Sequence, residues 1–405
     1  MEVLARFLQL IGASLLLGSA FWRGSGGTPP GSERALRWGV ALGALLVVGG
    51  ATLDLFRLSS SLSGGAPADA WLGIPALVRS TAYGGIVAAR VAIAVAMALI
   101  ILRPSPQPAP PSAIGWTIAR GAAALALALT FGFTGHASTG RAPWLAVPLQ
   151  AVHTGAAALW LGGLVYLTAF CWRRQTAAAT ASLVQAVGRF SRLGLLAMVA
   201  LGLSGVIVSA LRLYGFYDLI ETNYGLRLSV KLAWVAAVLG LAALHRFVLL
   251  PRLWGGGRGG SLRKALRLGL CSEAAVGVGV LFFAGVLAVT PPPLGPADRY
   301  IVYLEDNRFH PAELTLPAGR VARVVVVNRD DVMHDWTAPQ MPYIGGAVTG
   351  GVLHDHGEGF VHVHVGPRGR AAVEFIPLRP GRYALLCTVW PHAEEGMVGW
   401  ITVTE

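Results

Sequence analysis

Apolar residues run almost unbroken through eight stretches of the first 290 positions, at roughly 3–22, 35–57, 82–102, 114–135, 147–170, 193–213, 226–249 and 268–290. A helix rising about 1.5 Å per residue needs roughly 20 residues to cross the hydrocarbon layer, so each stretch predicts a transmembrane helix. After Pro291-Pro292-Pro293 the pattern changes. Short β-type runs at 300–304, 320–328, 360–365, 371–376, 382–387 and 399–403 alternate with turn residues, among them Pro317-Ala318-Gly319, Gly366-Pro367-Arg368-Gly369 and Arg379-Pro380-Gly381. They predict an antiparallel β-sandwich of about a hundred residues. The expected order is a helical membrane domain over 1–290, a Pro-rich linker over 291–298 and an all-β domain over 299–405.

Composition agrees, with 54% hydrophobic and only 13% charged residues in a chain of 405. The formal charge of +12 divides unevenly: residues 297–405 carry nine Arg against thirteen Asp and Glu, a net of −4, which leaves +16 in the membrane part. The basic residues cluster in alternate loops, with Arg23, Arg34 and Arg37 after the first span, Arg173, Arg174, Arg189 and Arg192 after the fifth, and Arg252, Arg258, Arg263 and Lys264 after the seventh. Such loops face the cytoplasm, which places both termini and the β-domain outside and argues against nucleic-acid binding. The stretch from Val3 to Trp22 is read as a retained first helix. Cys171, Cys271 and Cys387 are far apart and form no CxxC pair, so no disulfide framework is indicated. No hydrolytic triad, zinc-protease helix or phosphate loop occurs, so hydrolytic chemistry has no support and no enzyme is expected beyond a redox or electron-transfer role.

Two halves of the membrane region resemble each other. Leu8-Gln9 recurs as Leu149-Gln150, and Thr81-Ala82-Tyr83-Gly84 with Arg90 recurs as Thr222-Asn223-Tyr224-Gly225 with Lys231, both at an offset of 141. A parallel duplication of four helices would produce this pattern. Asp54, Arg90 and Lys231 fall in or near spans, where an ionised group needs a partner, and structural pairing is expected of them. His245 should face headgroups at the end of the seventh span, and Met97 and Met198 should be packing residues.

The loop before the last β-run reads Cys387-Thr388-Val389-Trp390-Pro391-His392-Ala393-Glu394-Glu395-Gly396-Met397, which brings a thiolate, an imidazole and a thioether close together in sequence. That donor set suits a trigonal Cys/His copper site with a weak axial Met. His334, just beyond the hydrophobic run 321–327, offers the second imidazole. The same region resembles the cupredoxin family through Phe309-His310-Pro311, Pro317-Ala318-Gly319, Asn328, Pro380-Gly381-Arg382-Tyr383, the Cys387/His392/Met397 loop and Gly399. The resemblance implies a Greek-key sandwich holding one type 1 copper through His334, Cys387, His392 and Met397, in a family that mostly transfers single electrons and also includes copper carriers. An insertion between Thr337 and Val365 carries His354, His356, His362 and His364, the last two on one side of a strand. It could form a second Cu(II) or Zn(II) site, or be a solvated edge loop.

In the membrane half, His136 ends the fourth span and His153 lies early in the fifth, each a candidate ligand or an interfacial anchor. Gly135-His136-Ala137, His153 with Leu159-Trp160-Leu161-Gly162-Gly163, Arg189-Phe190-Ser191-Arg192 and the two Tyr-Gly elements make residues 75–250 resemble the copper resistance D family. The resemblance implies a multi-pass protein of the inner (plasma) membrane linked to copper uptake or tolerance, and a copper-handling role for His136 and His153. Copper ions, the lipid bilayer and a periplasmic copper chaperone or redox partner would be its partners. The function expected is copper handling with an outward type 1 copper domain. A membrane-anchored electron-transfer protein and a copper chaperone for oxidase assembly are the alternatives.

Overall fold

A computed structural model describes residues 1–24, 32–63, 67–103, 113–171, 177–249, 251–252, 260–353 and 361–405. They divide into two compact units, one made of Met1–Leu211 with Val230–Val289 and the other of Arg212–Ser229 with Thr290–Glu405.

The helices are α1 (Glu2–Gly24), α2 (Glu33–Leu62), α3 (Pro67–Ser80), α4 (Ala82–Leu102), α5 (Ala113–Phe133), α6 (Pro143–Cys171), α7 (Ala177–Ala210), α8 (Phe216–Glu221), α9 (Asn223–Leu244) and α10 (Gly260–Ala288). Among the described residues eight helices are long and apolar enough to cross a membrane, and they coincide with the eight expected spans. The protein is therefore a multi-pass membrane protein. The short helices α3 and α8 were not anticipated. α3 carries an internal Pro75 and polar residues, and α8 has only six residues.

Helix α1 runs through the centre of the membrane unit, against α2 and α6. Small residues allow the close approach, since a Cβ on Gly18 would lie 2.3 Å from the backbone of Gly162 and one on Gly12 would lie 2.5 Å from the Gly43 carbonyl. Polar groups in this interior are held by neighbours. Arg90 is buried and donates to Thr130 Oγ1 at 2.9 Å, to the Thr130 carbonyl at 2.7 Å, and to Gln9 and Thr134, with Phe131 stacked 4.1 Å from its guanidinium carbon. Neutral oxygens, rather than a carboxylate, satisfy it. Asp54 accepts from the Tyr83 hydroxyl at 2.5 Å, with Arg6 3.7 Å away. His245 departs from expectation: it is buried in a π-helical turn, His245–Leu249, with Nδ1 2.5 Å from Glu273 on α10, instead of facing headgroups. A buried carboxylate needs a donor, and the widened turn supplies one.

The repeated Thr-x-Tyr-Gly motif makes the same local bonds in both copies. Thr81 Oγ1 accepts from Gly84 N–H at 3.0 Å and donates to the Leu77 carbonyl at 2.7 Å. Thr222 does the same with Gly225 at 3.0 Å and Asp218 at 2.6 Å.

The second unit is built on two packed sheets, with strand orders β2-β1-β4-β9-β6 and β3-β11-β10-β5-β8-β7. The strands are β1 (Asp298–Glu305), β2 (Arg308–His310), β3 (Glu313–Pro317), β4 (Ala322–Asn328), β5 (His334–Ala338), β6 (Tyr343–Thr349), β7 (Val352–Leu353), β8 (Val361–Val365), β9 (Arg370–Pro377), β10 (Gly381–Leu386) and β11 (Val398–Thr404). The core between them is filled by Val302, Leu304, Phe309, Val324, Val326, Trp336, Phe375 and Ile401, among others. The sandwich is mixed rather than antiparallel, because β1 pairs β4 and β3 pairs β11 in parallel. The intervening strands cross between sheets, so these neighbours run the same way.

Residues 212–229 join this unit through a buried ion network. Arg323 on β4 bridges Asp218 of α8 and Glu374 of β9, the Nε–Glu374 bond being 2.9 Å. Glu221 takes a two-pronged bond from Arg299 at 2.8–3.1 Å and another from Arg370. Arg323→Ala strands two buried carboxylates and should cost about 3–5 kcal/mol in a denaturant or thermal melt of the purified protein. Removing Arg368 from its exposed pair with Asp331 should leave the melt unchanged.

Candidate metal centre

Four hydrogen bonds from one side chain set the entry to the site. Asn328, buried at the end of β4, shares its amide hydrogens among the carbonyls of Val332 (2.8 Å), Gly366 (3.0 Å) and Val365 (3.1 Å), while its Oδ1 accepts from Asp330 N–H at 2.9 Å. The turn so held delivers His334 to the first position of β5. Asp330 then accepts from His334 Nε2 at 2.8 Å and from the peptide N–H groups of Asp306 and Asn307 at 3.1 and 3.3 Å. Partial burial pushes this carboxyl up, but those peptide donors and His334 outweigh it and hold Asp330 below the ordinary carboxylate range. Fixing Nε2 in this way turns His334 Nδ1 towards Cys387.

The other donors come from the loop between β10 and β11. Cys387 N–H donates to the Met397 carbonyl at 3.2 Å, Met397 N–H to the His392 carbonyl at 2.9 Å, and His392 N–H to the Val389 carbonyl at 2.9 Å. These short turns fold the loop back so that Cys387, His392 and Met397 are buried beside His334. His334 Nδ1 lies 3.1 Å from His392 Nδ1 and 3.9 Å from Cys387 Sγ, and His392 Nδ1 lies 3.5 Å from Cys387 Sγ. Three donors at bond lengths of roughly 2.0–2.3 Å around one ion in a trigonal plane stand about 3.6 Å apart, so the observed triangle fits a single metal ion. Met397 is packed in the same core cluster as Cys387. Cys387 Sγ also accepts the Asp335 peptide N–H at 3.3 Å. Burial pushes its thiol up from the ordinary value, only partly offset by peptide donors from Asp335 and Val389.

Of the other residues predicted from sequence, His362 and His364 lie on one side of β8 with ring centres 4.5 Å apart, as their spacing required. Asp335, which sequence reasoning missed, completes a group of three potential donors with them. His354 and His356 lie outside the described residues. His136 is in the turn after α5, and His153 on α6 has Nδ1 3.2 Å from Ser204 on α7. Among the described residues neither belongs to a cluster of three donors. Asp330 was missed as well, and its position two residues after Asn328 is the signal that could have found it.

Family models match along most of the chain: "Copper resistance protein D-like, N-terminal domain" over residues 1–144, "Copper resistance protein D" over 184–287 and "Cupredoxin-like domain" over 279–403. The chain is a copper resistance D-type membrane region joined to a cupredoxin domain. The N-terminal match reaches further than the motifs read above, which were carried by residues 75–250. Similar characterised proteins include the copper transport protein CutJ of Bacillus subtilis, 29% identical over 43% of this chain and 30% of its own length. The inner membrane protein YebZ of Escherichia coli is 33% identical over 26% of this chain and 35% of its own. The chain thus aligns with about a third of each of these relatives. Similar solved structures include auracyanin B (22% identity, 29% of this chain and 94% of that one, TM-score 0.22) and the auracyanin of Roseiflexus castenholzii (20%, 27% and 100%, TM-score 0.21).

Within the cupredoxin domain, Asn328→Ala removes the anchor of the turn that carries His334 and leaves buried backbone groups without partners. It should cost about 2–4 kcal/mol in a denaturant melt and increase copper loss on dialysis, read by metal analysis.

Proposed function

We propose that this is a copper-handling membrane protein whose cupredoxin domain captures or redox-poises one type 1 copper, bound by His334, Cys387 and His392 with Met397 as the axial ligand. The observation that carries the reading is the buried triangle of His334 Nδ1, His392 Nδ1 and Cys387 Sγ, each donor held by hydrogen bonds that do not involve an ion. Copper supplies the one-electron step between Cu(II) and Cu(I). The chain's own residues orient two imidazoles, bury a thiolate and exclude water. The charge of the loops favours an extracytoplasmic cupredoxin domain and extracytoplasmic termini in the plasma membrane. His136 and His153 would then take up copper on that side of the helical unit. Copper transport is the activity named for the relative CutJ, and it is the activity proposed here for the helices.

A second reading, electron transfer to a protein partner, is favoured by one feature. Val332, Met333 and Trp390 are exposed apolar side chains one or two residues from the proposed ligands His334 and His392, and Trp390 is 80% exposed. Such a rim is suited to brief docking.

Cu(II) added to the purified full-length protein should give an intense blue thiolate-to-copper band, absent in Cys387→Ser; a colourless wild type that still binds copper overturns the assignment. Because burial raises the Cys387 thiol, the metal-free site is protonated at pH 8, and loading should release one proton from it, measurable in weak buffer and missing in Cys387→Ser. In liposomes, changing both His136 and His153 to Ala should lower copper flux. Equal flux, together with a reversible one-electron couple, would favour electron transfer.

A further inference from the structure

Strand alternation gives β5 two functional faces. Trp336 and Ala338 point into the core with Val361, Val363 and Val365 of β8, so Asp335 and Thr337 point the other way. In the antiparallel ladder Asp335 stands opposite His364 and Thr337 opposite His362, which puts both imidazoles on the face that Asp335 occupies. There the carboxylate meets His362 Nε2 at 3.3 Å through Oδ2 and His364 Nδ1 through Oδ1, and the Thr388 hydroxyl donates to Oδ2. Thr388 Oγ1 is also 3.2 Å from His362 Nε2.

We propose that Asp335, His362 and His364 form a second metal site, for a borderline dication such as Zn(II) or Cu(II), which tunes the type 1 copper through Asp335. Asp335 is buried, and among the described residues its ion-pair partners are these two imidazoles and no Arg or Lys. A dication on the same atoms would take the carboxylate and both imidazoles as ligands, and these three donors lie within 4.8 Å of one another. The donor set contains no sulfur, so it selects against Cu(I), which the Cys387 site favours. Three protein ligands leave a position open for water.

The coupling is built into two dipeptides. His334 and Cys387 belong to the copper triangle, while the residues that follow them, Asp335 and Thr388, belong to the second site. Asp335 also donates its peptide N–H to Cys387 Sγ at 3.3 Å. A dication on its carboxylate adds positive charge beside the thiolate, which stabilises Cu(I) over Cu(II) and raises the reduction potential.

The coupling rests on the type 1 assignment, whereas zinc stoichiometry does not. Full-length protein in detergent is loaded with one equivalent of copper, dialysed against ZnSO4 and assayed for both metals. Wild type should retain one more zinc per chain than His362→Gln/His364→Gln or Asp335→Asn, with the blue band present in all. Zinc should also raise the midpoint potential of wild type alone. If the double variant loses the band through misfolding, His364→Gln, whose side chain is 24% exposed, should bind zinc at least tenfold more weakly with the band intact. Equal zinc in wild type and variants overturns the site. Zinc bound without a potential shift overturns the coupling. A wild type with no blue band whose extra zinc is lost in the variants overturns the type 1 reading and leaves the second site standing.

Discussion

The peptide N–H of Asp335 reaches Cys387 Sγ across the gap between β5 and β10, and the chemistry of the cupredoxin domain is organised around that gap. The two strands are paired at a single position, Leu386 with Thr337. Beyond that pair they diverge, and the space is lined by His334 from one strand and by Cys387 and His392 from the other connection. A thiolate in a dry interior needs donors that do not compete for the metal, and backbone N–H groups provide them at fixed positions. The turn behind Asn328 and the closed loop from Cys387 to Met397 hold the remaining atoms in place before any ion arrives. The orientation of these donors is therefore set by folding, and a copper ion bound as proposed would have little to reorganise.

The same rule governs the membrane unit with other partners. In a hydrocarbon surround every polar group must find its partner inside the bundle. Arg90 does so through threonine and glutamine oxygens from α1 and α5, Asp54 through Tyr83 and Arg6, and His245 through Glu273. Each link joins two different helical segments, and those that reach α1, from Arg90 to Gln9 and from Asp54 to Arg6, lie in the bundle where glycines seat α1 closely against α2 and α6. His136 and His153 lie on the helical part that the copper resistance D models match or adjoin.

In the second unit, a segment between two long helices contributes two carboxylates to a β-domain that begins about seventy residues later. Arg323 lies between Asp218 and Glu374, and Glu221 receives Arg299 and Arg370. Two carboxylates sharing one guanidinium would repel each other without it, so these contacts specify one arrangement of the segment on the domain.

The sequence by itself determined the eight spans and the change to β-structure, and it pointed to the four residues proposed here as copper ligands. Spans are continuous apolar runs set by the thickness of a bilayer, and the Cys387/His392/Met397 donors fall within one loop, so both can be read locally. Strand β5 was not legible as a strand, because His334, Asp335 and Thr337 are polar residues buried at non-local contacts with β8 and the Cys387 loop. The parallel pairs β1/β4 and β3/β11, the burial of His245 against Glu273 and the place of residues 212–229 likewise depend on partners far along the chain. Asp330 and Asp335 flank a ligand in the sequence, yet only the tertiary structure decides that one carboxylate orients His334 while the other faces away towards two histidines. Strand alternation sends neighbouring residues to opposite faces, and what waits on each face is decided by the fold.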